Sequence, residues 1–349
     1  MTTGTLVIDG SYGEGGGQIL RSSLALSCIT GRPIRIENIR AVRKNPGLQP
    51  QHLTSALAAA AICGGELSGA TIGARTLEFT PGKVKPGSYV FDVSEIKSSA
   101  GSVGLVFQTV FPPLALAVGE SRLTLRGGTH NPWAPTFNYI AEVFLTAMER
   151  MGVKSWARME KAGYYPAGGG GARFDIEPPS SLDPLKLTER GTIRSLFCTS
   201  AVSNLPMDIA RRQLAQGMKR LKVARVPVDG ECIEYPSPGK GTTFFIHAIS
   251  EHFVAGFSGL GALGKPAERV ADEACDAFLR YHESNATVDA HLADQLVIPL
   301  ALASGASEFA TDRVTRHLLT NMWVTGRFLP VRFELQGQEG EPGKISVIP

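Results

Sequence analysis

GGQILRSSLALSCITGRPIRIENIR, residues 16–40, reads as a small-residue lead-in, an apolar helix, a glycine break and a β-rich run. The same order returns in SVGLVFQTVFPPLALAVGESRLTLRGG (102–128) and in LADQLVIPLALASGASEFATDRV (292–314). Gly31, Gly119 and Gly305 follow the helix in each copy, where a left-handed terminating residue is expected. A second helix is expected after each, over 51–63, 134–151 and 317–329, the first two introduced by the Asn45-Pro46 and Asn131-Pro132 steps. Strand-like runs such as TLEFT, YVFDV, ARFDIE, PVRFEL and KISVI complete the pattern. Each unit therefore reads as two helices on one face of about four strands, an α+β class. Three such units predict one large domain, residues 1–184 and 286–349. Residues 185–285 interrupt the repeat after the linker-like EPPSSLDP and read as an inserted small α/β domain.

Composition narrows the function classes. The chain of 349 residues has 43% hydrophobic and 19% charged residues, which is ordinary for a soluble globular protein. No apolar run approaches the ~20 residues that span a bilayer, and MTTGTLVIDG lacks the basic and apolar parts of a secretory signal. Cys28, Cys63, Cys198, Cys232 and Cys275 lie far apart without a CxxC pair, which argues against a disulfide framework or a zinc cluster and for a reducing compartment. Net charge is +3, yet Arg21, Arg32, Arg35, Arg40, Arg43 and Lys44 are accompanied only by Glu37, so a local anion-binding face is expected.

DGSYGEGGGQILRS (9–22) is the strongest local feature. Its glycines can turn backbone N–H groups toward an anion at a helix N-terminus, or simply make a tight hairpin. It is not a dinucleotide fingerprint, because Gln18 stands where G-x-G-x-x-G needs glycine. Glu14 inside a phosphate-binding loop makes electrostatic sense if a divalent cation lies between them. AGGGG (167–171) reads as a plain turn. GLGALGKP (259–266) fails as a P-loop, because Pro266 supplies neither hydroxyl nor N–H. His317, at a helix start, is either a cap or a nucleophile: a neutral imidazole attacks phosphorus readily, and a helix N-terminus favours the phosphate it would receive.

Together DGSYGEGGGQILRS, IRAVRKNPGLQPQHL, the SSAGS segment ending at Gln108, GGTHNP, HLADQLVIPLALA and TRHLLTN resemble the RNA 3′-terminal phosphate cyclase family, in order over roughly 1–180 and 286–335. The resemblance implies three repeats like the C-terminal domain of a bacterial translation initiation factor, with one inserted domain. It implies an ATP-dependent reaction with Mg²⁺ or Mn²⁺ on RNA bearing a 3′-phosphate, by way of adenylated His317. Glu14 would bind metal. Arg21, Arg40, Arg43, Gln51 and His52 would hold RNA and phosphate. Gln108, Pro135 and His291, Leu292, Ala293, Asp294 and Gln295 would form the ATP pocket. At His291 the sequence departs from the tyrosine that the family stacks on adenine. The resemblance places the protein in the cytoplasm, or in the nucleus of a eukaryote, and is compatible with a homo-oligomer. The family also has a non-catalytic relative that binds RNA in ribosome biogenesis, but it lacks the histidine. An enolpyruvyl transferase, also built of α+β repeats, would form no enzyme–AMP adduct.

Overall fold

In the first repeat, strand β1 (Leu6–Asp9) pairs parallel with β2 (Ile34–Glu37), and the crossover between them is helix α1 (Gly17–Thr30). A second helix, α2 (Pro50–Cys63), leads to β3 (Glu66–Ser68) and β4 (Leu77–Thr80), giving the sheet order β1-β2-β4-β3. The strands alternate buried and exposed residues, so one face takes the helices and the other meets water. α1 ends where Gly31, at φ 69°, donates to Ser27 O, and α2 ends the same way at Gly64, at φ 63°. The computed structural model describes residues 4–96 and 100–349, so Ser98 and Ser99 of the SSAGS segment lie outside the described residues.

The second repeat runs β5 (Ser88–Asp92), α3 (Val103–Leu114), β6 (Ser121–Gly127), α4 (Phe137–Tyr139), a π-helical turn Ile140–Phe144, α5 (Leu145–Arg150), β7 (Lys154–Lys161) and β8 (Gly170–Glu177), with order β5-β6-β8-β7. The third opens on the short β9 (Lys186–Leu187). Then comes a separate sheet with β10 (Ile193–Ser203), α6 (Met207–Leu221), β11 (Val228–Glu234), β12 (Gly241–Ser250), β13 (Val254–Leu260) and α7 (Ala267–Glu283), ordered β11-β10-β12-β13. The third repeat resumes with α8 (Ala290–Gln295), α9 (Val297–Ala301), β14 (Ser307–Thr311), α10 (Arg316–Phe328), β15 (Arg332–Gln336) and β16 (Gly343–Ile348). Its order, β9-β14-β16-β15, is the same permutation as in the other two.

Several expectations are sharpened. Each repeat begins with a strand rather than a helix, and in the third that strand lies on the far side of the insertion. Lys186 and Leu187 pair with Glu308 and Phe309, so we propose that the inserted unit runs from 188 to 286 rather than 185 to 285. Gly119 and Gly305 are not caps. α3 ends at Leu114 straight after Pro112-Pro113, and α9 ends at Ala301. GLGALGKP forms the turn into α7, where Lys265 Nζ donates to Leu260 O at 2.8 Å and pairs with Glu273. In AGGGG, Gly168 and Gly169 take φ 64° and 68°, and a side chain at Gly170 would strike the backbone of Gly163.

α1 packs against both α3 and α10, and α2 against α3, so helices of all three repeats meet. One buried cluster spans the second and third repeats and includes Phe107, Phe111, Phe174, Leu292 and Phe309. Another holds the first repeat and takes in Ile298 and Val324 of the third. The inserted sheet buries its own core around Phe244, Phe257, Phe278 and Tyr281. It docks on the second repeat at close range. Thr136 Oγ1 lies 3.1 Å from Ser258 Oγ, His247 Nδ1 lies 3.3 Å from Glu142 Oε2, and Gly241 sits against the ring of Tyr164.

Candidate active site

The glycine loop before α1 is shaped by Gly13 and Gly15, at φ 56° and 59°, a conformation glycine adopts without strain. It lays Gly13 against the Thr320 hydroxyl of α10, and Glu14 N lies 3.4 Å from Thr320 Oγ1. Tyr12 stacks on Trp323, one turn further along that helix. Glu14 Oε2 thereby comes within 3.0 Å of His317 Nδ1, joining residues from opposite ends of the chain. Arg43 pairs with the other carboxylate oxygen. Burial pushes the His317 imidazole below its ordinary pKa, as do the Arg21, His291 and Arg43 charges, while the Glu14 charge pulls it back up. The neutral ring is favoured at neutral pH, with Nδ1 toward Glu14.

Arg21, on the second turn of α1, is almost wholly buried. Desolvation brings its guanidinium down to about 10, opposed by Glu14 and Asp294, so it stays cationic. Its Nη2 donates to Gln18 Oε1, and Gln18 Nε2 donates to Asn321 Oδ1 at 2.9 Å, tying α1 to α10. Its Nε has no partner among the described residues. His52, near the start of α2, is held neutral: burial first, then Arg21 and Arg40, bring it down to about 3. Its Nδ1 accepts from Gln49 N at 3.2 Å, and its Nε2 faces Gly17, where any Cβ would collide with it. Arg40 takes a left-handed backbone at φ 54° and donates through Nη1 to Gly47 O at 3.2 Å and to Asn45 O.

A cavity of about 490 Å³ opens beside these groups. Of the expected nucleotide residues, Gln108, Pro135, His291, Asp294 and Gln295 line it, together with Arg21 and His317. Gln108 Oε1 is buried and has no partner among the described residues, an acceptor a ligand could satisfy. Burial drives the Asp294 carboxyl up to about 8, although Arg21 opposes the shift. His291 is exposed and meets Tyr139 edge-on, 6.4 Å between centroids. Leu292 and Ala293, between two lining residues, turn their side chains into the apolar core on the inward face of α8. Glu14, Arg40, Arg43, Gln51 and His52 are not lining residues, and Glu14 lies behind the lining His317, 3.0 Å from its Nδ1. Gln51 Oε1 accepts from Ser102 N at 3.2 Å and so bridges the first two repeats.

The expected basic face is smaller than its charge count. Arg35 is paired with Glu37 and Glu78, and Arg32 donates to Arg327 O, so of the six there remain Arg21, Arg40 and Arg43 near the site and the exposed Lys44. Sequence reading missed Asn131, Trp133, Thr136, Tyr139, Arg313 and Thr315, which also line the cavity. Asn131 lies inside GGTHNP, and Thr315 opens TRHLLTN, so both stood within motifs already singled out. For a divalent cation, the buried Glu14 Oε2 has no hydrogen-bond donor among the described residues, only the His317 ring nitrogen beside it. No cluster of three or more His, Cys, Asp or Glu exists among the described residues. That donor set fits Mg²⁺ or Mn²⁺ shared between one carboxylate and substrate phosphates, not a cage made by protein alone.

An imidazole beside a carboxylate, with guanidinium groups near both, makes a site suited to phosphate chemistry. A family model described as RNA 3′-terminal phosphate cyclase matches residues 12–335. A protein of Methylococcus capsulatus named RNA 3′-terminal phosphate cyclase is 45% identical over 346 residues, 98% of this chain and 96% of the relative. Relatives of the same name in Trichormus variabilis and Thermococcus onnurineus are 45% and 42% identical, over 92% and 98% of this chain and 93% and 99% of theirs. The chain belongs to the RNA 3′-terminal phosphate cyclase family, a family of RNA-processing enzymes. No helix among the described residues is long and apolar enough to cross a membrane.

Proposed function

We propose that this protein converts the 3′-terminal phosphate of RNA into a 2′,3′-cyclic phosphodiester, consuming ATP through an adenylate carried on His317. The observation that carries the reading is the 3.0 Å approach of His317 Nδ1 to Glu14 Oε2 at the wall of a nucleotide-sized cavity. When the neutral ring carries its proton on Nδ1, the nitrogen nearer Glu14, Nε2 holds the lone pair. It attacks the α-phosphorus of ATP, an N–P bond forms, and the bond to pyrophosphate breaks. An oxygen of the RNA 3′-phosphate then displaces the imidazole, which leaves as neutral nitrogen, and a phosphoanhydride to AMP results. Finally the neighbouring 2′-hydroxyl attacks the terminal phosphorus and gives up its proton to solvent, an O–P bond closes the ring, and the anhydride bond to AMP breaks. The two reacting groups already share one ribose, so proximity supplies much of the rate.

In this reading Arg21, Arg40 and Arg43 hold phosphate oxygens, for which the guanidinium fork is suited. Neutral His52 positions the transferring phosphate, while Gln51 braces the repeat boundary. Gln108, Asp294, Gln295, His291 and Pro135 hold the nucleoside. Glu14 would hold Mg²⁺ or Mn²⁺, which would neutralise charge on the phosphates.

Incubating the protein with ATP and Mg²⁺ or Mn²⁺ should add the mass of one adenylate, and His317→Ala should lose that addition. Persistence of the adduct in the variant would show that another residue is the nucleophile. Absence of any adduct on the wild type would favour a non-catalytic RNA-binding role. RNA lacking its terminal 2′-hydroxyl should stall at the adenylated 3′-phosphate.

A further inference from the structure

Trp133 stands on the lip of the cavity with 98% of its surface open to solvent. Tryptophan is among the most buried residues on average, and covering its ring removes a large apolar area from water. The other tryptophans behave differently: Trp323 is stacked on Tyr12, and Trp156, on β7, is 55% exposed. The backbone at Trp133 is equally unusual, with φ at 64° in the left-handed region that bulky residues avoid. Such a conformation persists only where the surroundings impose it, and it concentrates at ligand clamps.

The surroundings here do impose it. Asn131 Nδ2 donates to Ala100 O, and the amides of Thr129 and His130 donate to Gly163 O at 2.9 and 3.0 Å. On the far side, Phe137 N donates to Thr129 O at 3.0 Å, and Thr136 contacts Ser258 of the inserted unit. Short anchored segments on both sides therefore hold the backbone that carries a bare indole at the entrance to the site. With that backbone fixed before the ligand arrives, only the side-chain rotamers are left to be ordered on binding.

We propose that Trp133 is the stacking platform for a base at the 3′ end of the incoming nucleic acid, an inference that rests on the cyclase reading above. ATP enters the cavity, whose wall includes Arg21, Gln108 and His317. The indole, open to solvent, is placed for what must come from outside and cross the lip to deliver a phosphate to His317. Stacking suits that partner because every base has a π-face, so a ribonucleotide end of any sequence is gripped without being read.

The test uses the full chain in two measurements. In the first, enzyme–AMP is formed and then challenged with increasing 3′-phosphorylated oligoribonucleotide. Trp133→Ala should raise the RNA concentration for half-maximal cyclisation about 5- to 150-fold, the range expected for one stacked base. Trp133→Phe should recover most of the loss, and the ATP concentration for half-maximal adduct formation should move less than about twofold. In the second, the same oligonucleotide should quench tryptophan fluorescence in the wild type but not in Trp133→Phe. Unchanged RNA dependence overturns the proposal. A raised ATP requirement with unchanged RNA dependence also overturns it and assigns the ring to adenine. If the wild type makes no adduct yet Trp133-dependent quenching by RNA persists, the base platform stands and the cyclase mechanism falls.

Discussion

The ring of Tyr12 lies flat on that of Trp323, with centroids 3.9 Å apart and planes inclined by 13°. Tyr12 belongs to the glycine loop, whose backbone otherwise meets α10 through Gly13 and Glu14 at Thr320. The stack is thus a clip between the loop that carries Glu14 and the helix that carries His317. An aromatic pair of this geometry contributes about 0.5–1.5 kcal/mol beyond the area it buries. Tyr12→Ala should slow enzyme–AMP formation about 2- to 12-fold if that energy is used to hold Glu14 in place. Tyr12→Phe should keep the rate. Because Tyr12 is 43% exposed, the unfolding midpoint should move little in either variant, so a slow rate with an unchanged midpoint identifies positioning.

Asp294 couples stability to pH. Burial raises its carboxyl from 3.8 to about 8, so the folded state keeps a proton that the unfolded chain has already lost at neutral pH. Its contribution is therefore full in acid below the ordinary value and is lost as pH rises through the folded pKa. Asp294→Asn cannot lose that proton. The unfolding temperature of the wild type should fall relative to the variant as pH is raised from about 5 to about 8. Parallel curves would mean that Asp294 is ionised in the fold.

The repeat was readable because helix periodicity and glycine breaks are local signals, whereas the strands that open each repeat are not. β9 has only two residues and owes its existence to β14, more than a hundred residues away. Glu14 was legible as an odd acid among glycines, and His317 as a histidine at a helix start. Their 3.0 Å meeting was not, since it depends on α1 packing against α10. Leu292 and Ala293 are the converse case: they share a motif with His291, Asp294 and Gln295, but their side chains lie on the α8 face that packs into the core, a division the motif alone does not encode.

Docking of the inserted unit should be sensitive to one methyl group. Gly241 lies so close to the Tyr164 ring that a Cβ there would overlap it, and Tyr164 is itself buried. Overpacking of this kind costs about 1–3 kcal/mol. Gly241→Ala should therefore lower the denaturant midpoint by a corresponding amount, and Tyr164→Leu in the same chain should restore part of it. An unchanged midpoint in Gly241→Ala would mean that the inserted unit yields to the methyl by shifting as a body.

Gly17 and His52 provide a sharper version of that test inside the site. Gly17 is the first residue of α1, and a Cβ there would run into His52 Nε2 and crowd Arg21 Nη1. Alanine is otherwise a better helix former than glycine by about 1 kcal/mol, so propensity alone predicts that Gly17→Ala stabilises. The collision predicts the reverse, a loss of about 1–3 kcal/mol from overpacking a buried side chain. These opposed signs make the measurement decisive. If the imidazole is what forbids a side chain at position 17, removing it with His52→Ala should turn the same Gly17→Ala change from destabilising to neutral or stabilising. The coupling energy in that double-mutant cycle should exceed about 0.5 kcal/mol, the level seen only between residues in contact. The activity should follow a different course, because His52 is neutral and placed beside Arg21 and Arg40. The double variant should regain stability and still pass adenylate to RNA slowly, showing that glycine at 17 is kept to make room for a working imidazole.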